Sequence, residues 1–445
     1  MIKNKTFYKS FFSMWIILVL QNIITLSVNL ADNIMLGAYS EVSLSGVAAA
    51  NQIQFVYQQL ITAIGEGAVV LATQYYGKKQ MEPIRILSSI GMHTALVTAA
   101  LLFFAVSLFP RQLLGLFVAD PAIIDQGAEY VRIIRYTYLF FAITQLLLAV
   151  LRSMGIVHIA LILSVCTLLI NCGINYTLIY GHFGAPRLGV TGAAIGTLTA
   201  RIAELLVLIF YIYIRKKDIH LRDYFRTDTV LRRDYFRIML PLLLASSLWG
   251  LNSATQNAIL GHMTDRAIAA NSVASTLFLM VKSTGMGSAS AASFFVGKTI
   301  GEGNEKGLTV LARTLQTLFV GIGVLSGIGL YFLRIPVLSL YRLEPETMSM
   351  ANTFLVILSV ICVGMSYQMP TNIGIVRGGG DTKYVMKMDL ISIWGIVIPI
   401  SFIMAFWVKA SPVVVVCCLN ADQIFKCVPA FLKCNFGHWA KKLTR

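Results

Sequence analysis

The chain has 445 residues, of which 57% are hydrophobic and only 13% charged, with a formal net charge of +16; its mean hydropathy is +0.74. So few charges cannot clothe a soluble protein of this size, and the basic excess is spread as a bilayer, not a nucleic acid, would have it. The seven cysteines include no Cys-x-x-Cys pair, and Cys417 adjoins Cys418, so they read as small apolar side chains and not as a disulfide framework or a metal centre.

Apolar runs of about 20 residues, long enough to cross a hydrocarbon core as helices, recur along the chain. Twelve are predicted, at roughly 11–37, 46–73, 88–109, 130–151, 157–181, 189–214, 237–261, 267–296, 307–333, 350–375, 385–408 and 411–432, with boundary errors of several residues. The first is too long for the apolar core of a signal peptide, contains Asp32, and has no small-residue cleavage site after it. Lys and Arg gather in alternate loops: Lys3, Lys5 and Lys9, then Lys78, Lys79 and Arg85, Arg152, the Arg215–Arg237 stretch, Lys298, Lys306 and Arg313, Arg377, Lys383 and Lys387, and the tail from Lys433. The positive-inside rule assigns those loops to the cytoplasm, and an even helix count puts both termini there.

One pattern is written twice. Gly65-x-Gly67 is followed by Gly77-Lys78, and Gly285-x-Gly287 by Gly297-Lys298, at the same internal spacing. Asn33-Ile34-Met35-Leu36-Gly37 is echoed by Asn257-Ala258-Ile259-Leu260-Gly261, and Arg152-Ser153-Met154-Gly155 by Arg377-Gly378-Gly379-Gly380. The expected fold is therefore an all-α integral membrane protein: twelve transmembrane helices in two six-helix lobes related by a pseudo-two-fold axis along the membrane normal. The expected divisions are an N-lobe at 1–214, a basic connector at 215–236 and a C-lobe at 237–445. The connector suits an amphipathic helix on an anionic leaflet or, equally, a solvated tether. Duplicated bundles in a bilayer usually mean a transporter.

A charge in hydrocarbon costs about 2.5–3.5 kcal/mol, so each intramembrane ionisable residue needs a reason. Asp32 sits in the first run with no opposite charge within a helical turn, where H+ or Na+ would answer it. Asn171 and Asn175 in the fifth run are four apart and share a helix face. Their oxygens, with the hydroxyl of Thr197, could complete a hard-cation shell or bond a protonated Asp32; the plainer alternative is interhelical glue. Glu66, between Gly65 and Gly67, has Met286 as its repeat copy, and so is a cation or substrate contact or the partner of a helix-end donor. Arg201 and Glu204, three apart, suit a local pair, with Glu204 facing a cavity as the sharper alternative. Lys282 requires an acid such as Glu66 nearby, or contacts substrate, and a basic group there disfavours cationic substrates. Trp249, Met365, Tyr367, Gln368, Met369 and Trp394 offer polarisable contacts for flat amphiphiles, or are core. Asp381 and Asp389 read as local partners of Lys383 and Lys387. No nucleotide loop, metal-ligand cluster or nucleophile–base set supports an enzyme, and no cofactor beyond a coupling H+ or Na+ is expected.

Four stretches then come together: Ala31-Asp32-Asn33-Ile34-Met35-Leu36-Gly37, Gln74-Tyr75-Tyr76-Gly77, the Pro186 to Thr197 segment with Gly189, Gly192, Ala193, Ala194 and Gly196, and Arg377-Gly378-Gly379-Gly380-Asp381-Thr382. In combination, and over nearly the whole chain, they resemble the multidrug and toxic compound extrusion (MATE) family of secondary transporters. The resemblance implies a monomeric antiporter in the cell membrane of a bacterium, exchanging H+ or Na+ for an organic, often cationic, amphiphile. It places Asp32 at the coupling acid of the N-lobe, Asn171 and Asn175 at its amide positions, and Thr197 at a hydroxyl position. The chain departs from relatives that carry a second acid in helix 7 or 10: Pro241 to Trp249 and Val363 to Pro370 contain none, so no carboxylate site is expected in the C-lobe. Two other classes remain: a lipid-linked oligosaccharide flippase, thinly supported because Lys282 and Arg201 are the only mid-helix cations recognised, and a non-transporting receptor or scaffold.

Overall fold

The computed structural model describes residues 2–215, 226–339, 341 and 344–444. Of the connector expected at 215–236, residues 216–225 lie outside the described residues, and a helix already begins at Thr229, inside the expected connector. Twelve long helical segments carry the fold: α1 Lys5–Tyr39, α2 Glu41–Gly77, α3 Met81–Leu108, a bent α4 made of Pro121–Ile134 and Thr137–Ser153, α5 His158–Tyr180, α6 Val190–Arg215, α7 Thr229–Gly261, α8 Asp265–Gly301, α9 Glu305–Leu338, α10 Pro345–Arg377, α11 Thr382–Trp407 and α12 Pro412–Phe436. Ten of them are long and apolar enough to cross a membrane, or eleven with the two arms of α4, bent by 55°, counted as one span. The twelfth, α8, has the length at 37 residues, but its Ser, Thr, Ala and Gly content dilutes its hydropathy.

Helix ends follow local chemistry. Asp120 accepts from the Ala122 amide ahead of Pro121, Asn304 accepts from the Gly307 amide at the start of α9, and Asp228 accepts from the amides of Val230 and Leu231 before α7. Each satisfies donors that a first helical turn leaves unpaired. Gly181, at φ 78°, ends α5 in the left-handed region that favours glycine. Large apolar side chains such as Leu101, Phe104, Phe210, Leu325 and Phe332 point outward, as lipid rather than water requires.

Contacts gather the chain into two compact units. The α3–α6 unit comprises Leu20–Ala72 and Gln80–Met239; the α8–α12 unit comprises Met1–Val19, Thr73–Lys79 and Leu240–Arg445. Helices α1, α2 and α7 thus contribute to both.

Within each unit the repeated glycines do matching work. A Cβ built on Gly67 of α2 would lie 2.9 Å from the Met239 Cβ of α7, and one on Gly287 of α8 would lie 2.7 Å from the Val19 Cγ2 of α1. Both distances are too short for a side chain, so each Gly-x-Gly marks a close helix crossing. In the α8–α12 unit the chain's last residues are docked as well. Gln74 donates to the Lys441 carbonyl at 3.0 Å and accepts from the Leu443 amide at 2.9 Å, and the Lys441 amide donates to the Gly379 carbonyl at 2.8 Å.

Candidate functional site

The α3–α6 unit assembles the polar set expected around Asp32. Gly192 and Gly196, one turn apart on α6, lie flush against α5: a Cβ on Gly192 would sit 2.7 Å from the Leu178 carbonyl carbon, and one on Gly196 would overlap the Asn175 Oδ1. Two missing side chains therefore let α5 and α6 touch along the face that carries the asparagines. Asn175 Nδ2 donates to Asp32 Oδ1 at 2.5 Å and to Asn171 Oδ1 at 3.2 Å, and Asn171 Nδ2 donates to Thr197 Oγ1 at 3.1 Å. The asparagines are fully buried and Asp32 is 9% exposed. Asp32, Asn171, Asn175 and Thr197 thus form one relay across α1, α5 and α6.

The relay has a member that the sequence did not suggest. Tyr130 of α4 is buried and lies beside Thr197, within electrostatic reach of Asp32. Only its hydroxyl, one polar atom at the start of an apolar run, could have signalled it. Arg201 lies within electrostatic reach of Asp32, stacks 5.1 Å from the Phe141 ring centre, and pairs with Glu204 at 2.7 Å. Glu204 is 6% exposed, so the local pair is what forms and the cavity-facing alternative is not.

The relay also has an open valence. Asn175 Oδ1 is buried without a hydrogen-bond partner. Turned toward Asp32, it would add an oxygen to the Asp32 carboxylate, Asn171 Oδ1 and Thr197 Oγ1, donors of the kind that suit H+ or a hard monovalent cation. Asn175 now turns nitrogen, not oxygen, toward Asp32, which is the orientation an uncompensated carboxylate prefers. A loaded proton or cation would reverse that preference.

Other expected residues are placed differently. Glu66 ion-pairs with Arg152 of α4. Lys282 lies 4.9 Å from the Trp249 ring centre and within electrostatic reach of Asp422 and Asp389, so the acids near it are those of α11 and α12. Met365 is fully buried and packs near Gly285, which makes it core in this structure. The Tyr367 hydroxyl donates to Gln316 Oε1 at 2.7 Å, Gln368 Nε2 donates to Gln423 Oε1 at 2.9 Å, and Trp394 Nε1 is buried without a partner. Trp249, Met365, Tyr367 and Trp394 therefore face different neighbours. Gln256, the repeat counterpart of Asp32, bonds among the described residues to Asn252 Oδ1 of its own helix, at 3.2 Å.

One expectation is corrected. Asp381 and Asp389 do not take Lys383 and Lys387 as partners: Asp381 pairs with Lys433 at 2.9 Å and Lys441 at 2.7 Å, and Asp389 with Lys426 at 2.9 Å. Helical neighbours on α11 point away from carboxylates that the packing of α12 and the tail can reach. The α8–α12 unit also holds Asp389 and Asp422 on α11 and α12, both ion-paired with Lys426. Lys426 is a third mid-helix cation.

A multi-pass helical bundle with duplicated glycine crossings and a buried acid–amide relay in one half defines a membrane carrier of MATE type. The chain matches the MatE family over residues 18–177 and 241–403, one match in each half, and belongs to that family. It is 24% identical over 428 residues to the probable multidrug resistance protein NorM of Thermotoga maritima, covering 96% of this chain and 92% of that one. It is 26% identical over 367 residues to the probable multidrug resistance protein YoeA of Bacillus subtilis, covering 80% and 77%. Its fold superimposes on a crystal structure of MATE in complex with MaL6 with a TM-score of 0.87 at 17% identity, covering 96% and 95% of the two chains. For the eukaryotic MATE transporter AtDTX14 the TM-score is 0.85 at 18% identity, covering 98% and 97%.

Proposed function

We propose that this chain is a secondary active exporter of small organic amphiphiles, antiporting them against H+ or Na+ by alternating access, with Asp32 as the coupling acid. One observation carries the proposal: the buried relay from Asp32 through Asn175 and Asn171 to Thr197. It ties α1 to α5 through a single carboxylate and continues to α6 through an amide–hydroxyl bond, so the occupancy of that carboxylate decides how α1 is held to the other two. Loading H+ or Na+ on Asp32 neutralises the charge that holds the Asn175 amide nitrogen, weakens that hydrogen bond, and favours the amide turning its free oxygen inward. That change in bonding among α1, α5 and α6 is the step that biases outward- and inward-open states. The names of the NorM and YoeA relatives support efflux as the direction and breadth of substrate as the habit.

Lys282 on Trp249 supports a reading of the substrate class. An aromatic face beside an ammonium suits flat amphiphiles that are neutral or carry an acid group better than simple organic cations. The distribution of Lys and Arg supports termini in the cytoplasm.

Dye accumulation in cells with and without the protein, under imposed Na+ or pH gradients, tests the proposal. Lower accumulation that depends on one of the two gradients supports it and names the ion. Accumulation that is equal in all conditions, for neutral, acidic and cationic dyes alike, refutes it.

A further inference from the structure

Three charges meet inside the α8–α12 unit. Lys426 Nζ of α12 lies 2.9 Å from Asp389 Oδ1 of α11 and 3.0 Å from Asp422 Oδ2, one turn back on its own helix. The side chains of Lys426 and Asp422 are 4% and 6% exposed, whereas Asp389 keeps 37%, so the triad is closed except at Asp389. Gln423 Nε2 donates to both oxygens of Asp422 at 3.0 Å. Its Oε1 accepts from Gln368 Nε2 at 2.9 Å, and Gln368 Oε1 accepts from Asn372 Nδ2 at 3.2 Å. The chain of amides ends at Asn372 Oδ1, which is buried with no partner; Asn372 itself is 5% exposed.

The backbone departs from α geometry beside these groups. Residues Pro370–Arg377, which carry Asn372, and Leu390–Val397, which follow Asp389 directly, are π-helical. Such widened turns frequently accompany functional sites. A structural ion pair in a bilayer needs one acid per base. Here two acids share one ammonium, and the second nearby ammonium, Lys282, is within electrostatic reach of both but bonded to neither among the described residues. Two carboxylates around a compact ammonium, with amides behind them, offer the oxygen donors that a small hard cation takes.

We propose that the triad is a monovalent-cation site of the C-terminal half, and that its cation is the tethered ammonium of Lys426. The α8–α12 unit then needs no ion from solution, and ion dependence belongs to the Asp32 relay alone. Removing the ammonium opens the site to Na+ or a small alkylammonium, with Asp389 as the entrance. The proposal rests on this geometry and not on the transport reading, and its test reads binding instead of efflux.

The full-length protein in detergent, carrying Asp32→Asn to silence the relay, is melted in NaCl, methylammonium chloride or choline chloride at equal ionic strength. With Lys426 intact, the three salts give the same Tm. With Lys426→Ala added, Na+ or methylammonium raises Tm above the choline value by at least about 2 °C, saturably. With Asp389→Asn/Lys426→Ala, which removes one acid along with the ammonium, the salts again give one Tm. The proposal is overturned if Lys426→Ala melts alike in all three salts or cannot be recovered folded in any of them. A salt response already present with Lys426 intact overturns it as well.

Discussion

Gly196 is the position where a single methyl group acts on the relay. A Cβ there would overlap Asn175 Oδ1 while remaining 3.5 Å from the Asn175 backbone nitrogen. The backbone can stay, and the amide must turn. Overpacking of this kind costs about 1–3 kcal/mol, and a hydrogen bond to a charged group contributes about 1.5–3 kcal/mol. Taking about 2 kcal/mol as the part felt at Asp32, the cation or proton equilibrium shifts by about 30-fold at 1.36 kcal/mol per decade. The assay is dye efflux from everted vesicles as a function of Na+ or pH, with Tm in detergent as the fold control. Gly196→Ala is expected to retain a cooperative melt and to move the half-maximal ion activity by about 30-fold. Gly173→Ala, on α5 with nothing within 4 Å of its built Cβ, is expected to stay within about twofold of the parent. A wild-type ion dependence for Gly196→Ala would refute the claim that Asn175 holds Asp32. An equally large shift for Gly173→Ala would refute its specificity.

Three further outcomes are expected. Glu66 and Arg152 are a largely buried pair, 15% and 22% exposed, so Glu66→Gln should lower stability by about 1–3 kcal/mol and a double-mutant cycle of the two should show coupling of about 1 kcal/mol or more; additive effects on Tm would contradict the pairing. Lys282→Met should raise the efflux of cationic dyes relative to acidic ones, and an unchanged ratio would remove Lys282 from substrate selection. Asp381 holds the tail: burial alone would raise its carboxyl, but hydrogen bonds from Lys441 and Lys433 outweigh it and keep it below the ordinary aspartate range. A lowered value in the folded state means that the docking energy is fully present above about pH 4 and is lost as pH falls through the folded value. Proteolysis near residue 437 should therefore stay slow down to about pH 4 and speed up below it, whereas Asp381→Asn should cleave fast at every pH.

Much of the scaffold was legible because a bilayer imposes a simple grammar. Long apolar runs become helices, and the duplicated glycines become helix crossings, as Gly67 against Met239 and Gly287 against Val19 illustrate. The relay was legible for the same reason: one acid in an apolar run and two asparagines at helical spacing can reach each other only across an interface that small residues keep close. Tyr130 was not legible, since an aromatic in an apolar run is usually core. The Asp389–Lys426–Asp422 triad was missed although Asp422 and Lys426 are one turn apart. Asp389, near the start of a run, looks like loop chemistry until the packing of α11 on α12 shows that it pairs with Lys426, itself enclosed with Asp422. Asp389 and Lys387 are near neighbours in sequence, yet the ammonium that Asp389 meets comes from another helix.

Coupling through Asp32 is tested most directly by Asp32→Asn in reconstituted vesicles, with dye efflux driven by an imposed Na+ or pH gradient and Tm measured on the same preparation. Asparagine keeps the volume and the acceptor oxygen for the Asn175 amide but cannot take up H+ or balance a cation. The expected result is a Tm within a few degrees of the parent and no gradient-driven efflux. Efflux at the parental rate, under either gradient, would contradict coupling through Asp32.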